Sequence, residues 1–152
     1  KYRALLDKSL AAAISAIEIY NKPDFKYREE TFSILMVNAW EVLLKAKILK
    51  DNKGNLKSIY VPERTRTREN KKIKRFYPKK NRAGNPMTLD VFSALDKLEL
   101  DKILKENIQL LVEIRDNAIH FTNKEKLFEK KVLEVGTASL KSFVTVFNDW
   151  FK

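Results

Sequence analysis

Residues 27–50 read YREETFSILMVNAWEVLLKAKILK, and this stretch decides the fold class of the chain. Its apolar residues recur at the spacing of one helix face, in the series Phe32, Leu35, Met36, Ala39, Leu43 and Ala46. Such spacing predicts a helix that turns one side toward a core. The polar run DNKG at 51–54 is typical of a helix C-terminus. We therefore predict a long core helix from about Tyr27 to about Lys50.

Two further long helices are predicted at the ends of the chain. Residues 2–21 are rich in alanine and carry apolar residues at helical spacing, with no helix breaker before Pro23. Near the other end, Asn123 is a suitable N-cap for a last helix. The buried face of that helix is predicted to comprise Leu133, Leu140, Phe143, Phe147, Trp150 and Phe151.

A short helix and a fourth long helix are predicted between them. Thr88 is the expected cap of the short helix, which reaches about Leu98, and Asp101 is the expected cap of the long one. The long helix reaches about Phe121, and its core stripe comprises Leu104, Leu111, Ile114, Ala118 and Phe121. A second apolar strip on it, Ile108, Val112 and Ile119, suggests contact with another subunit. The sequence thus predicts an all-α bundle of four long helices and one short helix.

Length and composition limit the classes of function. The chain has 152 residues, which suits one domain, and because it opens at Lys1 rather than methionine we expect it to be a piece of a longer protein. It has no cysteine, which favours a cytoplasmic location. With one histidine and three glycines, it contains no common nucleotide-binding motif and no histidine-rich metal motif. We predict no cofactor and no metal site.

The positive charge is concentrated in a predicted insertion, residues 51–86, between the second and third long helices. Residues 50–82 hold 13 Lys or Arg against three acidic residues, whereas the rest of the chain is nearly neutral. Strand-like runs at 57–61 and 72–77, with turn residues after each of them, favour a β-hairpin or a partly ordered flap over a helix.

Aromatic residues alternate with these charges, which is typical of nucleic-acid binding because phosphates pair with cations and bases stack on rings. The predicted contact residues are Arg64, Arg66, Arg68, Lys71, Lys72, Lys74, Arg75, Tyr77, Lys79 and Lys80. The same composition also suits a solvated basic loop, an anionic membrane surface or an acidic protein partner. Of these partners we predict RNA, single-stranded or structured, and no membrane.

The candidate for chemistry is the segment 113–121, EIRDNAIHF, which contains the single histidine. Asp116 and Asn117 precede His120 by one helical turn, so a carboxylate and an amide can orient the imidazole and favour its protonated form. Arg115 lies about 140° around an ideal helix from His120. The two side chains can therefore reach one phosphate only through the length of the arginine, a loosened helix end or a second copy of the helix.

A structural interpretation of the same residues is also open. Arg115 can be an arginine paired with Glu113 or Glu41, and His120 an ordinary half-buried histidine whose charge is favoured at a helix C-terminus. Glu41 itself is a further candidate site residue. It can be a buried partner of Arg115 or of Lys45, or an exposed carboxylate.

Arg115, the polar Asp116 and His120 match the R-x(4–6)-H motif of the HEPN superfamily, an all-α domain of prokaryotic toxins, abortive-infection systems and RNA-processing factors. The segment 32–49, with NAWEVLLKA at 38–46, resembles the second helix of HEPN proteins, and most of all an uncharacterised bacterial branch. The resemblance covers the helical part of the chain. The basic insertion departs from the minimal HEPN bundle, so the substrate preference of other members is not carried over.

The resemblance implies a metal-independent endoribonuclease in which the 2′-hydroxyl attacks the adjacent phosphate, leaving a 2′,3′-cyclic phosphate and a 5′-hydroxyl. It implies that Arg115 holds the phosphate, His120 transfers protons, and Asp116 and Asn117 orient them. A homodimer would bring two copies of each together. The biological setting would be toxin action, phage defence or RNA processing, with an antitoxin or flanking domains as further partners. The alternatives are a non-catalytic nucleic-acid-binding module and a dimerisation domain of a larger effector.

Overall fold

The chain folds as an all-α bundle, as predicted. The computed structural model describes residues 1–63, 76–120 and 125–152, except for the side chains of Ile119, His120 and Glu125. In that part of the chain the α-helices are α1 (Tyr2–Tyr20), α2 (Arg28–Asp51), α3 (Val91–Lys97), α4 (Lys102–His120) and α5 (Glu125–Phe151). Four of them are long and α3 is short, which confirms the predicted architecture. Within the described residues, no helix combines the length and the apolar character that a membrane span requires.

Of the predicted N-caps that the structure describes, one is confirmed and one is replaced by another residue. Asp101 caps α4, since its carboxylate accepts hydrogen bonds from the backbone N–H groups of Ile103 and Leu104. The cap of α3 is Asp90 and not Thr88, because Asp90 accepts from the backbone N–H of Ser93 at 2.8 Å. The Ser93 hydroxyl and this N–H hold the pKa of Asp90 below its ordinary value. The predicted cap Asn123 lies outside the described residues.

The core is built around α2, which contacts each of the other four helices. Met36, Trp40 and Leu43 on α2 are completely buried. The indole Nε1–H of Trp40 donates to the hydroxyl of Ser139 on α5 at 2.7 Å, and the Trp40 ring meets the Phe143 ring edge-on at 5.3 Å. This one side chain thus fixes α2 and α5 by a satisfied polar contact and by aromatic packing.

The buried face of α5 differs from the prediction. Leu133 was expected in the core but is 53% exposed, while Phe143 is buried and the predicted Leu140, Phe147, Trp150 and Phe151 are partly buried. The buried positions form the series Phe128, Val132, Gly136, Ser139, Phe143 and Val146. Leu133 lies about 100° around the helix from Val132, which turns it away from α2.

The second apolar strip of α4 was also misassigned. Ile108 and Val112, expected to face another subunit, are only 1% and 0% exposed. The reason is that α4 packs against both α2 and α5, so two sides of the helix are used within one chain. The side chain of Ile119, the third member of the predicted strip, lies outside the described part.

The insertion combines a 3₁₀ helix with short antiparallel pairs. Residues 57–61 were predicted to be strand-like, but Leu56–Ile59 is a 3₁₀ helix, because the side chain of Asn55 accepts from the backbone N–H of Lys57 and starts a turn. Isolated antiparallel bridges join Tyr60 to Thr88, Pro62 to Pro78 and Lys80 to Pro86. The predicted strand-like run 72–77 lies largely outside the described residues. Where the structure does describe the insertion, the pairs are too short to form a regular strand.

Gly136 allows α5 to approach α2 closely. A Cβ atom at this position would lie 2.6 Å from Cε1 of the buried Phe32 ring. We expect Gly136→Ala to lower the free energy of unfolding by about 1–3 kcal/mol through overpacking, although alanine favours helices by about 1 kcal/mol. Urea denaturation measures the change, and Thr137→Ala on the exposed side of α5 is the matched control. A Gly136→Ala protein more stable than the wild type would contradict this packing.

Candidate active site

The candidate site lies at the C-terminal end of α4. The helix extends to His120, so the backbone of Arg115 and that of His120 belong to one continuous helix. Asp116 and Asn117 are exposed on the same turn, between these two residues. The side chain of His120 lies outside the described part, so the described geometry of the site comprises Arg115, Asp116 and Asn117.

The guanidinium of Arg115 is held by its neighbour in sequence. Its Nε and Nη2 atoms donate to Oδ1 of Asp116 at 2.9 and 2.7 Å. The side chain of Arg115 is 27% exposed and that of Asp116 is 52% exposed. A guanidinium has about five N–H groups, and the remaining three or so have no acceptor among the described residues, so within that part of the chain they can bind a ligand such as a phosphate.

This pairing corrects the structural interpretation of Arg115. Neither Glu113 nor Glu41 forms its ion pair among the described residues; Asp116 does. The Oδ1 of Asp116 accepts from Arg115. The predicted contact of Asp116 with the imidazole involves the side chain of His120, which lies outside the described part. The arginine is therefore tied to the turn that carries the other candidate residues rather than to the bundle core.

Glu41 belongs to a different part of the molecule. Its Oε1 accepts from Nζ of Lys45 at 2.6 Å, which realises one of the alternatives that the sequence left open. Lys45 is 7% exposed and also donates to the hydroxyl of Thr88 at 3.0 Å. Because Thr88 lies at the end of the basic insertion, this buried lysine fastens the insertion to α2. The structure thus gives Glu41 an anchoring contact and does not bring it into the candidate site.

A groove between α4 and α5 adjoins the site. It has a volume of about 340 Å³ and is lined by Leu110, Glu113, Ile114, Asn117, Leu127, Phe128, Lys131, Glu134 and Val135. Leu110 and Leu127 are 43% and 59% exposed. Asn117 thus lines a groove with exposed leucines that the sequence analysis did not assign. The heptad spacing of Ile103, Leu110 and Asn117 on α4 was the signal that could have found it.

The predicted nucleic-acid contacts divide into two groups. Arg64, Arg66, Arg68, Lys71, Lys72, Lys74 and Arg75 lie outside the described residues. Tyr77, Lys79 and Lys80 are described and exposed, and they lie on the paired backbone of the insertion. Arg82, which the prediction omitted, is exposed in the turn that follows them.

The described side chains contain no group of three or more His, Cys, Asp or Glu residues placed to hold a metal ion. A family model with the description "Domain of unknown function (DUF3644)" matches residues 4–152. No curated protein and no solved structure matches the chain.

Proposed function

The chain belongs to the DUF3644 family, and we propose that it is a metal-independent endoribonuclease of HEPN type that acts as a homodimer. The observation that carries the proposal is the Arg115 guanidinium, which Asp116 holds on the helix that ends at His120 and whose other N–H groups have no acceptor among the described residues. The HEPN resemblance of the motif and of the α2 sequence supplies the reaction. The net charge of +11 favours a polyanionic substrate.

The reaction requires three groups. A base removes the proton of the 2′-hydroxyl, whose oxygen forms a bond to the adjacent phosphorus as the bond from phosphorus to the 5′-oxygen breaks. An acid gives a proton to the departing 5′-oxygen. A fixed cation stabilises the charge on the phosphorane oxygens. We assign the cation to Arg115 and the proton transfers to His120, with Asp116 holding Arg115 and Asn117 lying three residues, about one helical turn, before His120.

A dimer supplies the second proton-transfer group, because each chain has one histidine. The strip of Ile108 and Val112 is buried and cannot form the interface, so we place it on the exposed leucines of the α4–α5 groove. Leu110 and Leu127 would supply apolar contact. Glu113 and Lys131 line the same groove with opposite charges, so a two-fold arrangement can set one against the other across the interface.

The double variant Leu110→Glu, Leu127→Glu is expected to be a folded monomer without cleavage activity. Each carboxylate would lose its hydration at the interface without a partner, which costs several kcal/mol. Analytical ultracentrifugation and RNA cleavage measure the two losses. Ile14→Glu is the matched control, since Ile14 is an apolar residue of similar exposure on α1 (47%, against 43% for Leu110). A folded monomeric double variant that still cuts RNA would show that the site is complete in one chain.

The second candidate function is a non-catalytic RNA-binding module of a larger effector. The observation that favours it is the basic insertion, which needs no chemistry at Arg115 or His120 to bind RNA. The two functions differ in an RNA-cleavage assay in EDTA that compares the wild type with a folded His120→Ala variant. The proposed ribonuclease cuts RNA and its variant does not, whereas a binding module cuts in neither case.

Both candidates predict the same effect of the insertion on affinity. Replacing Arg64, Arg66 and Arg68 with alanine should weaken RNA binding for all sequences, because phosphate contacts carry no base information. The slope of log affinity against log salt should flatten by up to ~0.7 for each lost single-strand phosphate contact. Fluorescence anisotropy at several salt concentrations measures both the RNA affinity and this slope. An unchanged affinity and slope would place the RNA site elsewhere.

A further inference from the structure

The insertion base, defined as residues 58–63 and 77–89, contains a backbone junction of three segments, 58–63, 77–81 and 85–89. The Val61 N–H donates to the Met87 carbonyl at 2.9 Å, the Met87 N–H to the Lys79 carbonyl at 2.7 Å, and the Lys79 N–H to the Val61 carbonyl at 2.8 Å. Each segment is thus hydrogen-bonded to the other two. Backbone groups that satisfy one another in this way hold the side chains between them in fixed places.

The insertion base is also fixed to the bundle at two points. Lys45 of α2 donates to Thr88, and Lys97 at the end of α3 donates to the Ser58 carbonyl at 2.8 Å. The turn that closes it is ordered by Asn81, whose side-chain oxygen accepts from two backbone N–H groups of residues 83 and 85. Gly84 in this turn has φ +81°, a conformation that glycine adopts without strain.

This rigid element presents one aromatic ring and three cations to solvent. Tyr77 is 45% exposed, and Lys79, Lys80 and Arg82 are exposed close to it along the chain. None of the three cations forms an ion pair with the described residues. An exposed ring and exposed cations on one short stretch of chain are the combination that binds the bases and phosphates of single-stranded RNA.

The insertion base and Arg115 lie near opposite ends of the bundle. Lys105, early in α4, pairs with Asp96 at 2.8 Å, next to the α3 residue that contacts Ser58. Arg115 is ten residues further along α4, which is ~15 Å at the helical rise. At that end, Asn117 shares a groove with Phe128 at the start of α5. Because Ser58 is reached through α3, a lateral separation of ~10 Å, typical of packed helices, combines with this axial distance, so we take the distance from the insertion base to Arg115 as roughly 20 Å.

We propose that the insertion base is a remote RNA-binding subsite and that the substrate is an RNA long enough to occupy it and the Arg115 end together. The proposal rests on the proposed function. At ~3 Å of axis per stacked nucleotide, roughly 20 Å corresponds to about seven nucleotides. An RNA shorter than this engages one of the two places at a time, whereas a longer RNA gains the second contact within one complex.

The test is a length series of single-stranded RNAs with one internal cleavage sequence, from about 6 to about 24 nucleotides. We expect kcat/KM to rise at least about tenfold once the RNA spans both places and then to level off. The triple variant Lys79→Ala, Lys80→Ala, Arg82→Ala should lose that gain on the long RNA, and its loss of kcat/KM on the shortest RNA should be much smaller. Arg3→Ala, Lys8→Ala, Lys141→Ala removes the same charges from exposed residues of α1 and α5 and is the control.

The outcomes separate this subsite from the proposed function. A value of kcat/KM that does not depend on RNA length would overturn the subsite while cleavage stands. The subsite would also be overturned if the triple variant lost as much kcat/KM on the shortest RNA as on the longest. A loss of kcat/KM on the longest RNA no greater than that of the control variant would overturn it too. An absence of cleavage at every length would contradict the ribonuclease and the substrate assignment that rests on it.

Discussion

Replacing His120 with alanine is expected to slow RNA cleavage by about 10²–10⁴-fold, the usual contribution of a general acid or base. RNA affinity should stay nearly unchanged, because the predicted phosphate contacts of the insertion are intact. Single-turnover cleavage at saturating protein measures the chemical step, and anisotropy measures binding. The loss should be larger than that of any other single substitution in segment 113–121 except Arg115.

The matched control for this substitution is Asn117→Ala, on the same turn of α4. We expect it to be milder, because an amide positions a neighbour and transfers no proton. Circular dichroism and thermal unfolding must show that both variants are folded. A folded His120→Ala protein that cuts RNA at the wild-type rate would remove His120 from the reaction and leave the RNA-binding module as the better account.

Arg115→Ala is the second substitution with a large expected effect, about 10²–10³-fold on the rate at saturating RNA. In the proposed reaction the guanidinium directs a fixed charge and a planar set of donors toward the phosphate. Asp116 holds the guanidinium in place. Arg115→Lys should recover only part of the rate, because a lysine keeps the charge without the planar fork. Measuring kcat separately from KM shows whether the loss lies in the transition state.

The variant Asp116→Asn separates the contribution of positioning the Arg115 guanidinium from the contribution of the guanidinium itself to the cleavage rate. It leaves the guanidinium in the protein but weakens its charge-assisted hydrogen bonds, so we expect a smaller loss than for Arg115→Ala. If Arg115→Ala cuts RNA as fast as the wild type, the guanidinium does not contact the reacting phosphate. In that case its pairing with Asp116 is a surface ion pair of little energetic weight.

The helices were predictable because their signals are local. The apolar spacing of α2 and the cap at Asp101 depend on residues within a few turns of each other, and the structure confirms both. Asp90 displaced Thr88 as the cap of α3 by a similarly local competition, since both side chains can accept hydrogen bonds near the start of that helix. Spacing predicts that a helix exists more reliably than it predicts its first residue.

The faces of α4 and α5 were not predictable from one helix at a time. Periodicity shows that Ile108 and Val112 lie on an apolar strip, but whether the strip meets another subunit or another helix of the same chain depends on how many neighbours α4 has. The exposed Leu133 shows the same difficulty on α5. Apolar residues remain common on folded surfaces, so an apolar residue in sequence is not by itself a buried one.

The candidate site also has features that follow from local sequence and features that depend on distant contacts. That Arg115, Asp116 and His120 belong to one helix end follows from their spacing. The pairing of Arg115 with Asp116 depends on side-chain conformations. The pairing of Glu41 with Lys45 also depends on side-chain conformations, and the position of Lys45 depends in addition on Thr88, which approaches from a distant part of the chain. The anchoring of the insertion by Lys45 could not be found from spacing, because 43 residues separate the two partners.

The central claim is that this chain cuts RNA by attack of the 2′-hydroxyl without a metal ion. The most direct measurement is mass spectrometry of the ends produced when the purified protein cuts a defined RNA in EDTA. We predict a 2′,3′-cyclic phosphate on the upstream fragment and a 5′-hydroxyl on the downstream fragment, with both products absent for His120→Ala. Intact RNA in EDTA, or cleavage that requires Mg²⁺ and leaves a 3′-hydroxyl and a 5′-phosphate, would contradict the claim.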